Sequence, residues 1–461
     1  MRYVSTRGNA PVLAFREAMM TGLARDGGLY VPAAIPTIGP DRFRALAGRP
    51  YEDAAFAVMW PFVEGAFDEA TFRRLIAEAY DSFGHEARCP LVQVGPSHWL
   101  LELFHGPTLA FKDVAMQLIG RMFEEALKGS GARLTIVGAT SGDTGSAAIE
   151  AFRGLEGVDV FILFPEGRVS EVQRRQMTTA TEANVHAIAV AGDFDDCQAL
   201  VKDMFNDHAF RDEVGLAGVN SINWARVLAQ VVYYVTSAVS LGAPDRAVSF
   251  TVPTGNFGDI YAGSVAKRMG LPIERLVAAT NRNDILHRCI STGSYRPKGV
   301  EPTISPSMDI EVSSNFERAL FDAYGRDGTA IARLMDELRH GGFEVSQGAI
   351  DALRETYASG RASEQETRAA IARAFGTTGE IVCPHTAVGL HVAEAHLGAE
   401  PMVTLATAHP AKFPDAVEAA TGTQPALPSR MADLYEREER VTGLPNDLGA
   451  LEAHIREVRA A

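Results

Sequence analysis

Six short stretches of the chain are rich in apolar and β-favouring residues: Leu134–Gly138, Val158–Phe164, Val185–Val190, Val248–Val252, Arg275–Thr280 and Met402–Ala406. Most lead into a turn of small or polar residues and then into helical spacing. Repeated strand–loop–helix units predict parallel sheets with helices on both faces. Ligands of such sheets sit at the carboxyl ends of strands, so the loops after Gly138, Val252, Thr280 and Ala406 are where a site is expected. Residues 1–95 have a different texture. Asp68–Tyr80 reads as an amphipathic helix, and Asp26-Gly27-Gly28 with Pro32, Pro36 and Pro40 reads as turns and loop, which predicts a separate, mainly helical N-terminal domain. A charged, mostly helical segment over about 314–375, with Glu317–Leu338 and Ala349–Ala374 in helical spacing around Gly341-Gly342, reads as an insertion. The expected domains are 1–95, a first α/β subdomain over 96–245 and a second over 246–461.

Composition narrows the function. At 461 residues and 46% hydrophobic, the chain can bury a large core. A net charge of -15 argues against nucleic acid or an anionic membrane as partner, while leaving room for a small anion in a locally positive pocket. The most apolar long stretch, Val227–Ala243, contains Gln230, Tyr233, Tyr234, Thr236 and Ser237 and predicts a buried helix rather than a membrane span. Four dispersed cysteines, with no C-x-x-C pair, suggest neither disulfides nor a structural metal site and fit a reducing cytoplasm. The first residues lack the apolar core of a signal peptide.

Four segments carry candidate chemistry. In Leu103–Asp113, Lys112 follows an apolar run and opens a helical stretch to Leu127. A lysine at a helix start in apolar surroundings has its charged form disfavoured, which suits a nucleophilic amine. Taken alone it also reads as a surface lysine. The loop Gly138–Gly145 gathers hydroxyls, backbone N–H groups and a helix N-terminus around one point, a site for a carboxylate. Gly255-Asn256-Phe257-Gly258-Asp259 lets the backbone approach a phosphate at another helix start. Each loop also reads as a tight turn with a helix cap. Thr407, just past a strand end, can offer its hydroxyl to a heteroaromatic nitrogen or serve as a turn residue. Together these are the parts for holding a phosphorylated aldehyde cofactor. No Walker A loop and no G-x-G-x-x-G in strand–turn–helix context is present, which disfavours a nucleotide-binding module.

These segments, with the opening Tyr3–Gly8 and the run Leu23–Pro32, resemble the threonine synthase family, in its longer bacterial and fungal branch. The resemblance covers essentially the whole chain. It implies a tryptophan-synthase-β-like, fold type II pyridoxal-phosphate enzyme with two doubly wound parallel-sheet subdomains. Lys112 would bind the cofactor. Gly255, Asn256, Phe257, Gly258 and Asp259 would surround its phosphate, and Thr407 would face its ring nitrogen. Thr140, Ser141, Gly142, Asp143 and Thr144 would face the substrate carboxylate or the cofactor's reactive edge. Asp143 stands where many fold type II enzymes have Asn; a carboxylate would repel a substrate carboxylate, so it is expected to accept from backbone or hydroxyl donors. The implied reaction converts O-phospho-L-homoserine and water to L-threonine and phosphate, by γ-elimination and addition of water at the β-carbon, with Lys112 as base and acid. For the substrate phosphate the candidates are Lys412, Arg282, Arg226, Asn223 and Asn220, although each arginine also reads as a structural ion pair. His105, His385 and His409 are given no catalytic role. The expected assembly is a monomer or homodimer. A threonine or serine dehydratase is the rival enzyme reading; it needs no substrate-phosphate site. A non-catalytic homologue would be expected to have lost the lysine or a phosphate-loop glycine.

Overall fold

The computed structural model describes the chain except Ser130, Ser141, Val219 and Ala461. Its fifteen strands among the described residues are β1 Tyr3–Ser5, β2 Tyr30–Pro32, β3 Leu91–Gly95, β4 His98–Glu102, β5 Leu134–Ala139, β6 Val158–Pro165, β7 Val185–Ala191, β8 Leu216–Ala217, β9 Val248–Pro253, β10 Ile273–Thr280, β11 Ser294–Tyr295, β12 Phe343–Glu344, β13 Tyr357–Arg361, β14 Met402–Ala406 and β15 Thr442–Pro445. Two sheets organise the molecule. One has five strands in the order β15-β7-β6-β5-β8, all parallel; the other has six in the order β13-β10-β9-β14-β4-β3, parallel except for β3. The apolar runs become strands because both their faces are covered: β6, β9 and β14 are buried at every position.

Helix Trp224–Ser240 packs against helices Lys112–Leu127 and Gly258–Arg268 and is buried on nearly all sides, as a long apolar run interrupted by few polar groups requires. No described helix is long and apolar enough to cross a membrane. In the N-terminal region, helix Glu69–Tyr80 follows its sequence signal closely. Asp68 caps it by accepting from the Thr71 N–H at 2.8 Å, and Phe72, Leu75, Ile76 and Ala79 face the core.

The sheets do not follow the boundaries 96–245 and 246–461. β4 lies early in the chain yet pairs in parallel with β14, and β15 near the C-terminus returns to the edge of the five-stranded sheet beside β7. Neither pairing is local, and the edge strand β15 has no apolar run to announce it. The expected helix Ala349–Ala374 is also broken. Helix Gln347–Thr356 gives way to β13, which closes the edge beside β10, before helix Glu364–Thr378 begins behind its Ser363 cap. Gly360 belongs to this strand because a Cβ there would lie 2.6 Å from the Val392 side chain. The expected helix Glu317–Leu338 is likewise interrupted after Ala323 and restarts at Gly328 behind Asp327, whose side chain accepts from the Thr329 and Ala330 N–H groups.

Where the Lys112 helix meets helix Asp143–Phe152, Gly120 brings the two backbones together: a Cβ would lie 2.2 Å from the Ala151 carbonyl oxygen. Carbonyl and helix cannot both yield cheaply. Gly120→Ala is therefore expected to destabilise the fold by about 2 kcal/mol despite its better helix propensity, read as a lower denaturant midpoint at unchanged slope.

Candidate active site

The loops leaving β4, β5, β9 and β14 meet at the carboxyl ends of their strands, around a cavity of about 750 Å3. Lys112 opens its helix from one wall, with 8% of its surface exposed. The preceding residue anchors it, since the Phe111 N–H donates to the Thr407 carbonyl at 2.8 Å. The Lys112 Nζ lies 3.5 Å from Asp143 Oδ2 and 5.1 Å from the centroid of the Phe111 ring. Burial holds the Lys112 ammonium below the usual lysine range. Asp143 opposes that effect, while Lys412 and Arg226 add to it.

Asp143 is the centre of the polar network. Its Oδ1 accepts from Lys412 Nζ at 2.7 Å and from Gln173 Nε2 at 3.0 Å; its Oδ2 accepts from Ser307 Oγ at 3.3 Å. Burial would raise its pKa, but the two lysines hold it far below the carboxylate range, so it is ionised. The expectation of backbone or hydroxyl donors is thus corrected: an ammonium and an amide are its closest partners. Gly142, at φ 142, makes room for this arrangement, because a Cβ there would collide with the Gln173 amide.

The segment Gly255–Asp259 lines the cavity at the start of helix Gly258–Arg268. It is held from behind. Asn315 donates to the Asn256 carbonyl through its backbone N and its Nδ2, both at 3.0 Å, and Ser313 Oγ donates to the Gly255 carbonyl at 2.7 Å. Phe257 takes a left-handed backbone (φ 63), and its ring packs edge-on against Phe316 and Tyr357. The buried Asp259 carboxylate accepts from the hydroxyls of Tyr233 and Tyr234, and burial pushes its pKa up to about 6.

The remaining candidates divide. Thr144, Arg226, Asn220 and Thr407 line the cavity. Thr140 uses its hydroxyl to accept from the Gly142 and Gly145 N–H groups, both at 2.9 Å, and so shapes the loop. Ser141 lies outside the described residues. Three anion candidates are engaged elsewhere. Asn223 caps helix Trp224–Ser240, accepting from the Ala225 N–H and donating to the Met19 carbonyl. Arg282 is half-exposed and paired with Glu301 at 2.5 Å, outside the residues lining the cavity. Lys412 has no exposed surface and donates to the Thr108 carbonyl at 2.8 Å besides pairing with Asp143. A basic residue beside a strand end reads as an anion ligand from sequence, but here the anion is the protein's own.

Two cavity residues had no role in the sequence reading. Ser307 reaches the site from the loop after β11, and His385 from the start of helix Pro384–Glu394. His385 Nε2 accepts from the Ser307 N–H at 3.1 Å, and burial pushes its pKa down to about 4, so the ring is neutral. No sequence pattern marks either; a lone Ser or His in a loop carries no spacing signal.

Comparison with known proteins follows the same lines. Residues 2–80 match the family model for the threonine synthase N terminus, residues 84–333 that for pyridoxal-phosphate dependent enzymes, and residues 386–455 that for the threonine synthase C-terminal region. A threonine synthase of Pseudomonas aeruginosa is 52% identical, over 99% of this chain and 98% of that protein. The crystal structure of pyridoxal-phosphate-bound threonine synthase from Brucella melitensis is 57% identical, with a TM-score of 0.98 and full coverage of both chains. The structure of threonine synthase from yeast is 39% identical with a TM-score of 0.93, covering 100% of this chain and 99% of that one.

Proposed function

The chain belongs to the threonine synthase family of fold type II pyridoxal-phosphate enzymes, and from that premise we propose how its residues divide the work. It is a pyridoxal-phosphate-dependent lyase. The substrate is O-phospho-L-homoserine, converted with water to L-threonine and phosphate, and the enzyme works in the cytoplasm. The reading is carried by one observation: Lys112, the Gly255–Asp259 segment, Thr407 and the start of helix Asp143–Phe152 converge on one cavity.

The cavity fits the cofactor by its donors. A lysine nine-tenths buried would supply the amine for the aldehyde, and the N-terminus of helix Gly258–Arg268 would supply first-turn N–H groups and a positive dipole end for the phosphate. The Thr407 hydroxyl would face the ring nitrogen. Being uncharged, it would not favour a proton there as a carboxylate would. When bound, the cofactor acts as the electron sink for negative charge at the substrate's α-carbon.

The rest is done by the protein. Thr144 and the N-terminus of helix Asp143–Phe152 bind the substrate carboxylate. Arg226 and Asn220, which line the cavity, are assigned to the substrate phosphate, where a guanidinium can pair with two oxygens. Lys112 Nζ would remove the α-proton and then a β-proton, on which phosphate leaves the γ-carbon, and would next return a proton to the γ-carbon. Water would then add its hydroxyl at the β-carbon, and a last proton from Lys112 would restore the α-carbon.

Purified, cofactor-loaded enzyme is expected to release threonine and inorganic phosphate from O-phospho-L-homoserine in equal amounts. If the cofactor were bound and neither product appeared, the substrate assignment would fall and the dehydratase reading would lead.

A further inference from the structure

We infer that Lys412 is a positioning residue that sets the charge on Lys112: by holding Asp143, it leaves Lys112 as a free amine. The inference rests on reading Lys112 as the cofactor lysine. A buried carboxylate beside a single lysine would hold that lysine as an ammonium, which can neither attack an aldehyde carbon nor accept a proton. Here Asp143 serves two lysines unequally. Lys412 makes two short contacts, 2.7 Å to Asp143 Oδ1 and 2.8 Å to the Thr108 carbonyl, with no exposed surface. Lys112 has the Asp143 carboxylate at 3.5 Å.

Two ammonium groups and one carboxylate, all buried, carry an excess positive charge. Burying an uncompensated charge is costly, and loss of one proton relieves it. The proton is lost where it is held less well, at Lys112 Nζ. The other groups facing Lys112 push the same way or are silent. Arg226, from the helix packed beside it, adds positive charge. His385 is neutral. Asp113 turns away to the Thr108 N–H and hydroxyl, at 2.8 and 2.6 Å. On the neighbouring helix Glu69–Tyr80, Arg74 is spent on Glu78 and Glu125.

Two readouts separate this role from a merely structural one. The first is the rate at which the cofactor-free full-length enzyme takes up pyridoxal phosphate across pH, followed by visible absorbance. The second is the acid limb of the kcat profile of the loaded enzyme, which reports Lys112 as the base in the substrate complex. Lys412→Met leaves Lys112 as the one lysine beside Asp143, so both acid limbs are expected to move up by at least about one pH unit, with roughly a tenfold slower uptake below the limb. Asp143→Asn removes the charge that favours the ammonium and should move the limbs down. The double variant should return them to or below the wild-type position, and Lys412→Arg, which keeps the charge, should stay near wild type. Limbs that do not move in Lys412→Met, or a slowing uniform across pH, would overturn the inference. Should Lys412→Met fail to fold, Asp143→Asn decides alone: an unmoved or upward shift overturns it. Cofactor uptake does not depend on the substrate, so failure of the phosphohomoserine assignment would leave this test standing, whereas uptake undiminished in Lys112→Ala would sink the cofactor-lysine reading itself.

Discussion

Lys112→Ala is expected to abolish covalent attachment of the cofactor and to lower threonine release by about 10³-fold or more, while leaving the fold intact. The first effect follows from chemistry, since no other lysine stands in for the amine. Lys412 is fully buried and paired with Asp143, and Lys202, which also lines the cavity, is exposed on helix Phe194–Asn206. The second follows from the proposed role of the same Nζ in each proton transfer, since removal of a positioned base and acid costs about 10²- to 10⁴-fold for one step alone. Stability should change little. The buried Lys112 amine makes one long contact, 3.5 Å to Asp143, so its removal forfeits little, while Asp143 keeps its tighter partner at 2.7 Å. The check is threefold: visible absorbance with added cofactor, mass of the reduced adduct, and a denaturant melt. A variant that still formed the reduced adduct at residue 112's neighbourhood, or one that unfolded, would show that Lys112 does something other than bind the cofactor.

Much of this site is written in the sequence, for a physical reason. A loop that brings backbone against an anion at a parallel strand's end needs glycine and a helix start immediately afterwards, and both leave a local pattern. Gly255–Asp259 and the segment before Asp143 display it. So do the strands β5, β6, β9 and β14, whose apolar runs follow from burial on both faces. What the sequence hides is set by distant pairing. β13 and β15 have half-exposed, weakly apolar sequences and become strands because an edge is there to receive them. Lys412 was recognisable as a basic residue near the site, but its partner on the other sheet's loop decides that it balances a charge rather than binds a substrate. Arg282 carried the same signal and lies in a surface pair with Glu301. Ser307, His385 and Gln173 arrive singly from three loops and helices, and no spacing rule could gather them.

The N-terminal motifs acquire a purpose through Arg318, whose replacement by Met is the other substitution expected to have a large effect. Arg318 has no exposed surface, and among the described residues no carboxylate lies within ion-pair distance of it. Its guanidinium donates instead to the Tyr30 carbonyl of β2 at 2.9 Å, to the Ile222 carbonyl at 2.6 Å, and to Asn315 Oδ1. The preceding residue of the same helix completes the junction: Glu317 accepts from Thr6 Oγ1 at 2.6 Å and pairs with Arg7 at 2.9 Å. The runs around Tyr3–Gly8 and Leu23–Pro32 are thus clamped to helix Phe316–Ala323, and through Asn315 to the Asn256 carbonyl in the Gly255–Asp259 segment. Met at 318 would remove a buried charge, a gain, but would leave three buried oxygens short of a donor at about 1–3 kcal/mol each. The balance is a loss of about 2–4 kcal/mol, measured as a lower denaturant midpoint. Asn315, released from its partner, should also hold Asn256 less well, so cofactor affinity is expected to fall along with stability. Lysine cannot restore the junction, because one ammonium does not span two carbonyls and an amide as the planar guanidinium does. Arg318→Lys that matched wild type in both midpoint and cofactor affinity would show that only the charge matters at this position, and would detach the N-terminal domain from the geometry of the active site.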